Sequence, residues 1–184
     1  MELDFSTATN DGELLQILDL QKDNLRSSRS LAEEQEQGFV TVEHTINLLR
    51  DMNEHCQHVV AKDGEKVVGY ALAMTRDFKD KIAILEPMFV LLDNLVVDGR
   101  RMGDGTYLVM GQVCVHKDYR GQGTFQGLYK KYFEIYLPHF GHIITEVAAR
   151  NTRSIRAHLN VGFKEIYRYD EPGMEEWVVI MASK

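Results

Sequence analysis

The chain has 184 residues, 44% of them hydrophobic and 27% charged, with a formal net charge of -7. That size and balance fit one domain, residues 1–184, able to bury its own core, and the acidic surplus argues against a nonspecific nucleic-acid binder. Cys56 and Cys114 are too few for a disulfide framework, no apolar run is long enough for a membrane span, and the first residues lack an export signal, so a cytoplasmic protein without a membrane partner is expected.

In chain order, the alternation of Leu3, Phe5 and Thr7 predicts a strand over residues 2–9. Asn10 or Asp11 then caps a helix over 13–25, whose leucines and Ile17 suit packing on a core. Residues 27–38 read as a polar loop. Thr41 caps a second helix carrying Val42, Ile46, Leu49 and Met52. Two β-rich runs around Asp63-Gly64 predict a hairpin over 58–74. Residues 79–95 fit a short helix kinked or delimited by Pro87, and an extended stretch follows from Val96. A strand over 107–116, a helix over 123–137 closed by Pro138 and Gly141, and a strand over 142–149 come next. A helix over 151–161 closed by Gly162, then strands over 163–169 and 176–181 joined through Pro172-Gly173, complete a mixed α/β order.

The run from Val113 to Tyr132 carries the chemistry: a strand, a short polar turn, Arg120-Gly121-Gln122-Gly123, then a helix. The first amides of a helix have no intrahelical partner, and the helix dipole adds partial positive charge there. Gly121 and Gly123 let backbone approach an anion, and Arg120 brings a forked cation. Together they would grip a diphosphate; the alternative is a plain loop with a glycine cap. The spacing is neither a Walker loop nor a dinucleotide fingerprint.

The segment Val113-Cys114-Val115-His116-Lys117-Asp118-Tyr119-Arg120-Gly121-Gln122-Gly123 resembles the acyl-CoA signature of GCN5-related N-acetyltransferases. Thr145 to Asn151, followed by Ser154, His158 and Gly162-Phe163, resembles that family's second block in the same order and separation. The resemblance covers about residues 107 to 169 and implies a GNAT-like fold, a mixed sheet splayed open between the strands at 107–116 and 142–149. It implies acetyl-CoA as co-substrate without a metal. Backbone groups of Val113, Cys114 and Val115 would run beside the pantetheine arm. Arg120, Gly121, Gln122, Gly123, Thr124 and Phe125 would hold the diphosphate, and Asn151 and Ser154 would form the opposite wall. It also implies a small-molecule or peptide amine as acceptor, and homodimers are frequent in the family. Phe125 departs from the pattern's small residue, Lys117 from its proline and His158 from its tyrosine.

Asn151, Ser154 and His158 share one helix face by their i, i+3, i+7 spacing. A histidine there is suited to protonate the departing thiolate, or is a helix histidine with no role. Glu146 lies among apolar strand neighbours. It reads either as the base that takes the amine proton or as half of an ion pair with Arg150, Arg153 or another cation. His55-x-x-His58 reads as surface rather than metal. Asp93, Asp98, Arg100, Arg101 and Asp104 read as a solvated hairpin or an acceptor pocket. Cys114 is a packed thiol, and Lys130 and Lys131 either help neutralise phosphates or face solvent. The reading is an N-acetyltransferase working by direct attack in a ternary complex. Its rivals are a non-catalytic acyl-CoA-binding module, a nucleotide-binding domain and an interaction protein.

Overall fold

The computed structural model describes residues 2–25, 42–170 and 175–184. A seven-stranded sheet forms the centre, in the order β1-β2-β3-β6-β7-β9-β8. The strands are β1 (Asp4–Thr7), β2 (Val59–Asp63), β3 (Lys66–Met74), β6 (Tyr107–Val115), β7 (His142–Ala148), β8 (Lys164–Asp170) and β9 (Glu176–Ser183); β4 (Val96–Val97) and β5 (Arg100–Arg101) form a separate small hairpin. Every pairing in the large sheet is antiparallel except β6 with β7.

Helices α1 (Asp11–Lys22), α2 (Ile46–His55) and α3 (Glu86–Asn94) pack with one face of the sheet, and α4 (Thr124–Phe140) covers the other. Residue parity drives this arrangement. From Tyr70 onward alternate side chains of β3 enter opposite cores, Tyr70, Leu72 and Met74 on the first face and Ala71 and Ala73 on the second. On α4, Leu128, Tyr129, Tyr132 and Tyr136 recur at helical spacing and are buried against the sheet. A fifth helix, α5 (Thr152–Asn160), follows β7.

Two features open the sheet. Gly111 has no partner in β3, because Leu72 faces Gln112 while Ala73 faces Met110. This bulge bends β6. Beside it, β6 and β7 pair over only three positions, ending at Val109 and Ile144. Beyond that point the two strands diverge into a V, the splay that the resemblance implied. The bulge is satisfied from the side: the Ala73 N–H donates to His58 Nδ1 (3.2 Å), His58 Nε2–H to the Leu49 carbonyl (3.2 Å), and the Tyr132 hydroxyl to the Leu72 carbonyl (3.3 Å). His58 is therefore a buried brace, not surface, with its pKa pushed down by burial to about 3.

Several boundaries differ from the sequence reading. Asn10 caps α1, its side chain accepting from Glu13 N–H. The second helix begins at Ile46 with Thr45 as its cap, so Val42 precedes it; Thr41, the 27–38 loop and Pro172-Gly173 lie outside the described residues. The hairpin turn is Gly64-Glu65, one residue later than expected. Pro87 sits in the first turn of α3 and delimits it, where a missing N–H costs nothing. Pro138 does not close α4: the helix runs through it to Phe140, and Gly141 with φ +70° ends it. A proline one turn from a helix end removes a single hydrogen bond, too little to stop a helix held by its aromatic face.

Candidate active site

The diverging strands leave an edge of β6 exposed. The ladder to β3 fixes which groups point where. The His116 N–H donates to the Val68 carbonyl (2.8 Å), and the register from Gln112 to Val115 is regular. Cys114 and Gln112 therefore turn their backbone groups toward β3, and Val113 and Val115 turn theirs toward the opening. The sequence reading placed these two valines beside an extended arm; the structure turns their backbone groups into the opening, where Arg120 takes the Val115 carbonyl.

A cavity of about 300 Å³ lies in this opening. Val113, Cys114 and Val115 form one wall, Gly121, Gly123, Thr124 and Phe125 the end, and Asn151 and Ser154 the other wall. Asn24, Arg153 and Asn160, which the sequence reading did not single out as site residues, line it too. At the end wall, Gly121 and Gly123 adopt φ +71° and +84°. Both are left-handed values that favour glycine, as the loop reading required. The first helical bond of α4 runs from Gly127 N–H to the Gly123 carbonyl (2.9 Å), and Gly123 offers no side-chain cap. The amides of Thr124, Phe125 and Gln126 thus open outward at the positive end of a 17-residue helix. The Thr124 hydroxyl donates to the Tyr119 carbonyl (2.7 Å) and the Gln122 amide to the Asp118 carbonyl (2.7 Å), bracing the turn. Phe125 tucks its ring edge-on to His158 (5.2 Å) and beside Tyr129, so it thickens the wall.

Arg120 departs from expectation. Its Nε–H donates to the Val115 carbonyl (2.9 Å) and its Nη2 to Asn24 Oδ1 (2.7 Å), so the fork braces the loop as well as lining the cavity.

A second, smaller chamber of about 80 Å³ shares Val113, Asn151 and Ser154 with the first. Gln112, Thr145, Glu146, His158 and Trp177 also line it. Asn151 caps α5, its side chain accepting from Ser154 N–H (3.2 Å). Glu146 is half-buried, and the Tyr169 hydroxyl donates to its Oε2 (3.0 Å). Arg150, one of its expected ion partners, donates to Glu175 (2.6 Å). Below the chamber, a buried polar network fixes β6. Gln21 Nε2 and the Tyr70 hydroxyl both donate to Gln112 Oε1 (2.7 and 2.6 Å), and Gln112 Nε2 donates to the Val42 carbonyl (2.9 Å).

His158 is 1% exposed, enclosed by Phe125, Tyr129 and Phe163 at ring distances of 5.2–5.3 Å. Its Nδ1–H donates to the Ser154 carbonyl (2.7 Å), its Nε2 has no partner, and burial pushes its pKa down to about 4. At neutral pH this ring is uncharged and offers a lone pair at Nε2, so it does not match the proton donor expected from the helix spacing. Nδ1 also lies 3.3 Å from the Ser154 hydroxyl oxygen. With its hydrogen on the Ser154 carbonyl, Nδ1 has no lone pair to accept from that hydroxyl, whose hydrogen therefore points elsewhere.

The remaining candidates separate from the site. Arg76 pairs with Asp93 (2.9 Å) and Arg101 hydrogen-bonds Asn94, so this segment is a braced hairpin. Arg100, Arg101, Asp98 and Asp104 line a groove with Phe140 and His142, apart from the cleft. Lys131 pairs with Glu134, and Lys130 is exposed; neither lines the cavity. No group of three metal-ligating side chains occurs among the described residues, and no helix among them is long and apolar enough to cross a membrane.

The fold recurs among solved acetyltransferases. Ribosomal-protein-S18-alanine N-acetyltransferase from Escherichia coli is 13% identical, with 99% of this chain and 94% of that one covered and a TM-score of 0.63. The putative acetyltransferase yncA from Salmonella typhimurium, solved with acetyl-CoA, is 13% identical over 98% and 93% of the two chains, at 0.65. Arabidopsis thaliana Naa50, in complex with the bisubstrate analogue CoA-Ac-MVNAL, is 12% identical over 100% of both, at 0.66. At these identities the likeness shows the fold alone. No curated protein matches the sequence closely enough to count as a relative. The sequence model described as the acetyltransferase (GNAT) family matches residues 14–163, which include β2, β3, β6 and β7, the loop and both walls of the cleft, and the chain belongs to that family.

Proposed function

We propose that this chain transfers an acetyl group from acetyl-CoA to the primary amine of a small molecule or peptide, by direct attack while both are bound. The observation that carries this is the continuous cleft. A glycine loop at a helix N-terminus forms one end and leads along the edge of Val113 to a chamber holding one carboxylate.

In this reading the amides from Gly121 to Phe125 hold the diphosphate. The arm adds to the edge of β6 at Val113, whose outward N–H polarises the thioester carbonyl as charge develops on its oxygen. Asn151 and Ser154 close the arm from the other side. Glu146 takes the proton as the amine attacks, directly or through water. Holding both reactants in one cleft supplies much of the rate. The Ser154 hydroxyl hydrogen-bonds the departing sulfur, and His158 sets the orientation of that serine from behind. A single negative charge among neutral groups in the acceptor chamber favours an ammonium-bearing acceptor.

Calorimetric titration with CoA, acetyl-CoA, ATP and NAD, followed by acetyl transfer to a panel of amines, tests the proposal. Binding of CoA and its thioester together with turnover on an amine supports it. Equal affinity for ATP and CoA, or tight acetyl-CoA binding with no transfer to any amine, would leave a nucleotide-binding or purely acyl-CoA-binding protein instead.

A further inference from the structure

We infer that Phe125 is a positioning residue that shuts His158 off from the coenzyme cavity, so that Glu146 remains the one charged side chain lining the chamber where the amine attacks. The inference rests on the reading of the cleft given above.

Three rings enclose His158, and they are not equivalent. Tyr129 and Phe163 are 0% and 3% exposed and belong to the second core. Phe125 is only half-buried and lines the larger cavity, whose walls do not include His158. Its ring meets the imidazole at 5.2 Å and an interplanar angle of 89°. Tyr129, one turn further along α4, holds it there at 4.9 Å. Phe125 is therefore the one ring of the three whose removal opens the imidazole toward the cavity. Positions 125 and 158 both depart from the pattern that the sequence resembles, and in the fold the two side chains touch.

Among the described residues, Glu146 and His158 are the two titratable side chains that line the smaller chamber. From α4 the Tyr129 phenol also packs on the imidazole, and burial raises it well above its ordinary value, so it carries no charge. Ser154 meets the ring with a carbonyl and a hydroxyl, neither of them charged. An imidazolium in this chamber would offset the Glu146 carboxylate and repel an ammonium acceptor. Sealed behind Phe125, the ring takes no proton in the neutral range, and the carboxylate's charge is left for the amine.

Nitrogen NMR and kinetics read the seal and its consequence separately. In the wild type the His158 resonances, assigned by their loss in His158→Phe, are expected to stay those of a neutral ring down to about pH 5. In Phe125→Ala the titration is expected to move up toward the ordinary value of about 6.5. At saturating acetyl-CoA, kcat/KM for the amine in Phe125→Ala, taken relative to the wild type at each pH, should then fall about fourfold from about pH 8 to about pH 6. That is the factor by which an imidazole of ordinary pKa loses its neutral form over this range. Adding His158→Phe should remove the fall, and Phe125→Leu, which keeps bulk over the ring, should show none, whatever the absolute rates. A wild-type His158 that titrates near its ordinary value would overturn the inference, and this measurement carries the test if Phe125→Ala folds poorly. A relative kcat/KM in Phe125→Ala that changes by less than about twofold over the same range would overturn it too, since Tyr129 and Phe163 would then suffice as the seal. A wild type that transfers acetyl to no amine would instead remove the reading of the cleft, while the two NMR titrations still decide whether Phe125 closes off the ring.

Discussion

With its Nδ1–H given to the Ser154 carbonyl and its ring closed in by three aromatic side chains, His158 holds a neutral imidazole behind the cleft wall. The sequence placed His158 on the same helix face as Asn151 and Ser154, and that spacing holds. Its protonation does not follow from spacing, because Phe125, Tyr129 and Phe163 come from elsewhere in the chain and set its desolvation. The pH–rate profile should therefore contain no limb that His158 variants remove between about pH 6 and 8. Ser154→Ala should lower kcat by about ten- to a hundredfold while leaving acetyl-CoA affinity within about threefold; equal losses in both would make Ser154 a binding residue only. Glu146 was legible as a strand carboxylate, and its partner Tyr169 was not, since they meet only through the pairing of β7, β9 and β8. Glu146→Gln should cut kcat/KM by about 100-fold or more and remove the acidic limb of the profile. An unshifted profile in that variant would show that the amine loses its proton by another route.

At the level of elements, the order of strands and helices could be read from periodicity, because apolar side chains at periods of 2 and 3.6 are what the two cores select. The bulge at Gly111 could not. A bulge is a property of two strands in register, and nothing local to residues 110–112 announces that Met110 and Gln112 face adjacent residues of β3. The open edge of β6 follows from that bulge and from the early end of its pairing with β7, so the cleft's cause was hidden although the loop at its end was visible. The loop itself makes a local demand. Gly123 holds φ +84° with no atom within 4 Å of where a Cβ would sit, so Gly123→Ala is opposed by backbone strain alone. That strain is about 1–3 kcal/mol. The thermal midpoint should fall by a few degrees and CoA affinity several-fold, readable by melting and calorimetry on one sample. An unchanged midpoint would mean that the turn accommodates a side chain by rearranging.

At the scale of the whole fold, three histidines among the described residues are buried as neutral rings: His44, His58 and His158, with values pushed down to about 4, 3 and 4 by desolvation. In the unfolded chain each returns to about 6.5. Between these values the unfolded state binds more protons than the folded one, so stability present above about pH 6.5 is lost as pH falls. The full effect of three such groups is about 4 kcal/mol per pH unit, an upper bound where all three titrate together. Urea unfolding between about pH 7 and 4.5 should show a slope of at least half that, and His58→Gln, which keeps a polar side chain at the bulge, should flatten it. A pH-independent midpoint over that range would mean the rings are solvated. In the proposed function the coenzyme lies along the open edge of β6. Amide hydrogen exchange resolved to single residues, with and without saturating acetyl-CoA, reads this directly. Strong new protection is expected at Val113 and in the first turn of α4, with Cys114 already protected by β3. Binding of acetyl-CoA without any added protection at Val113 would contradict it.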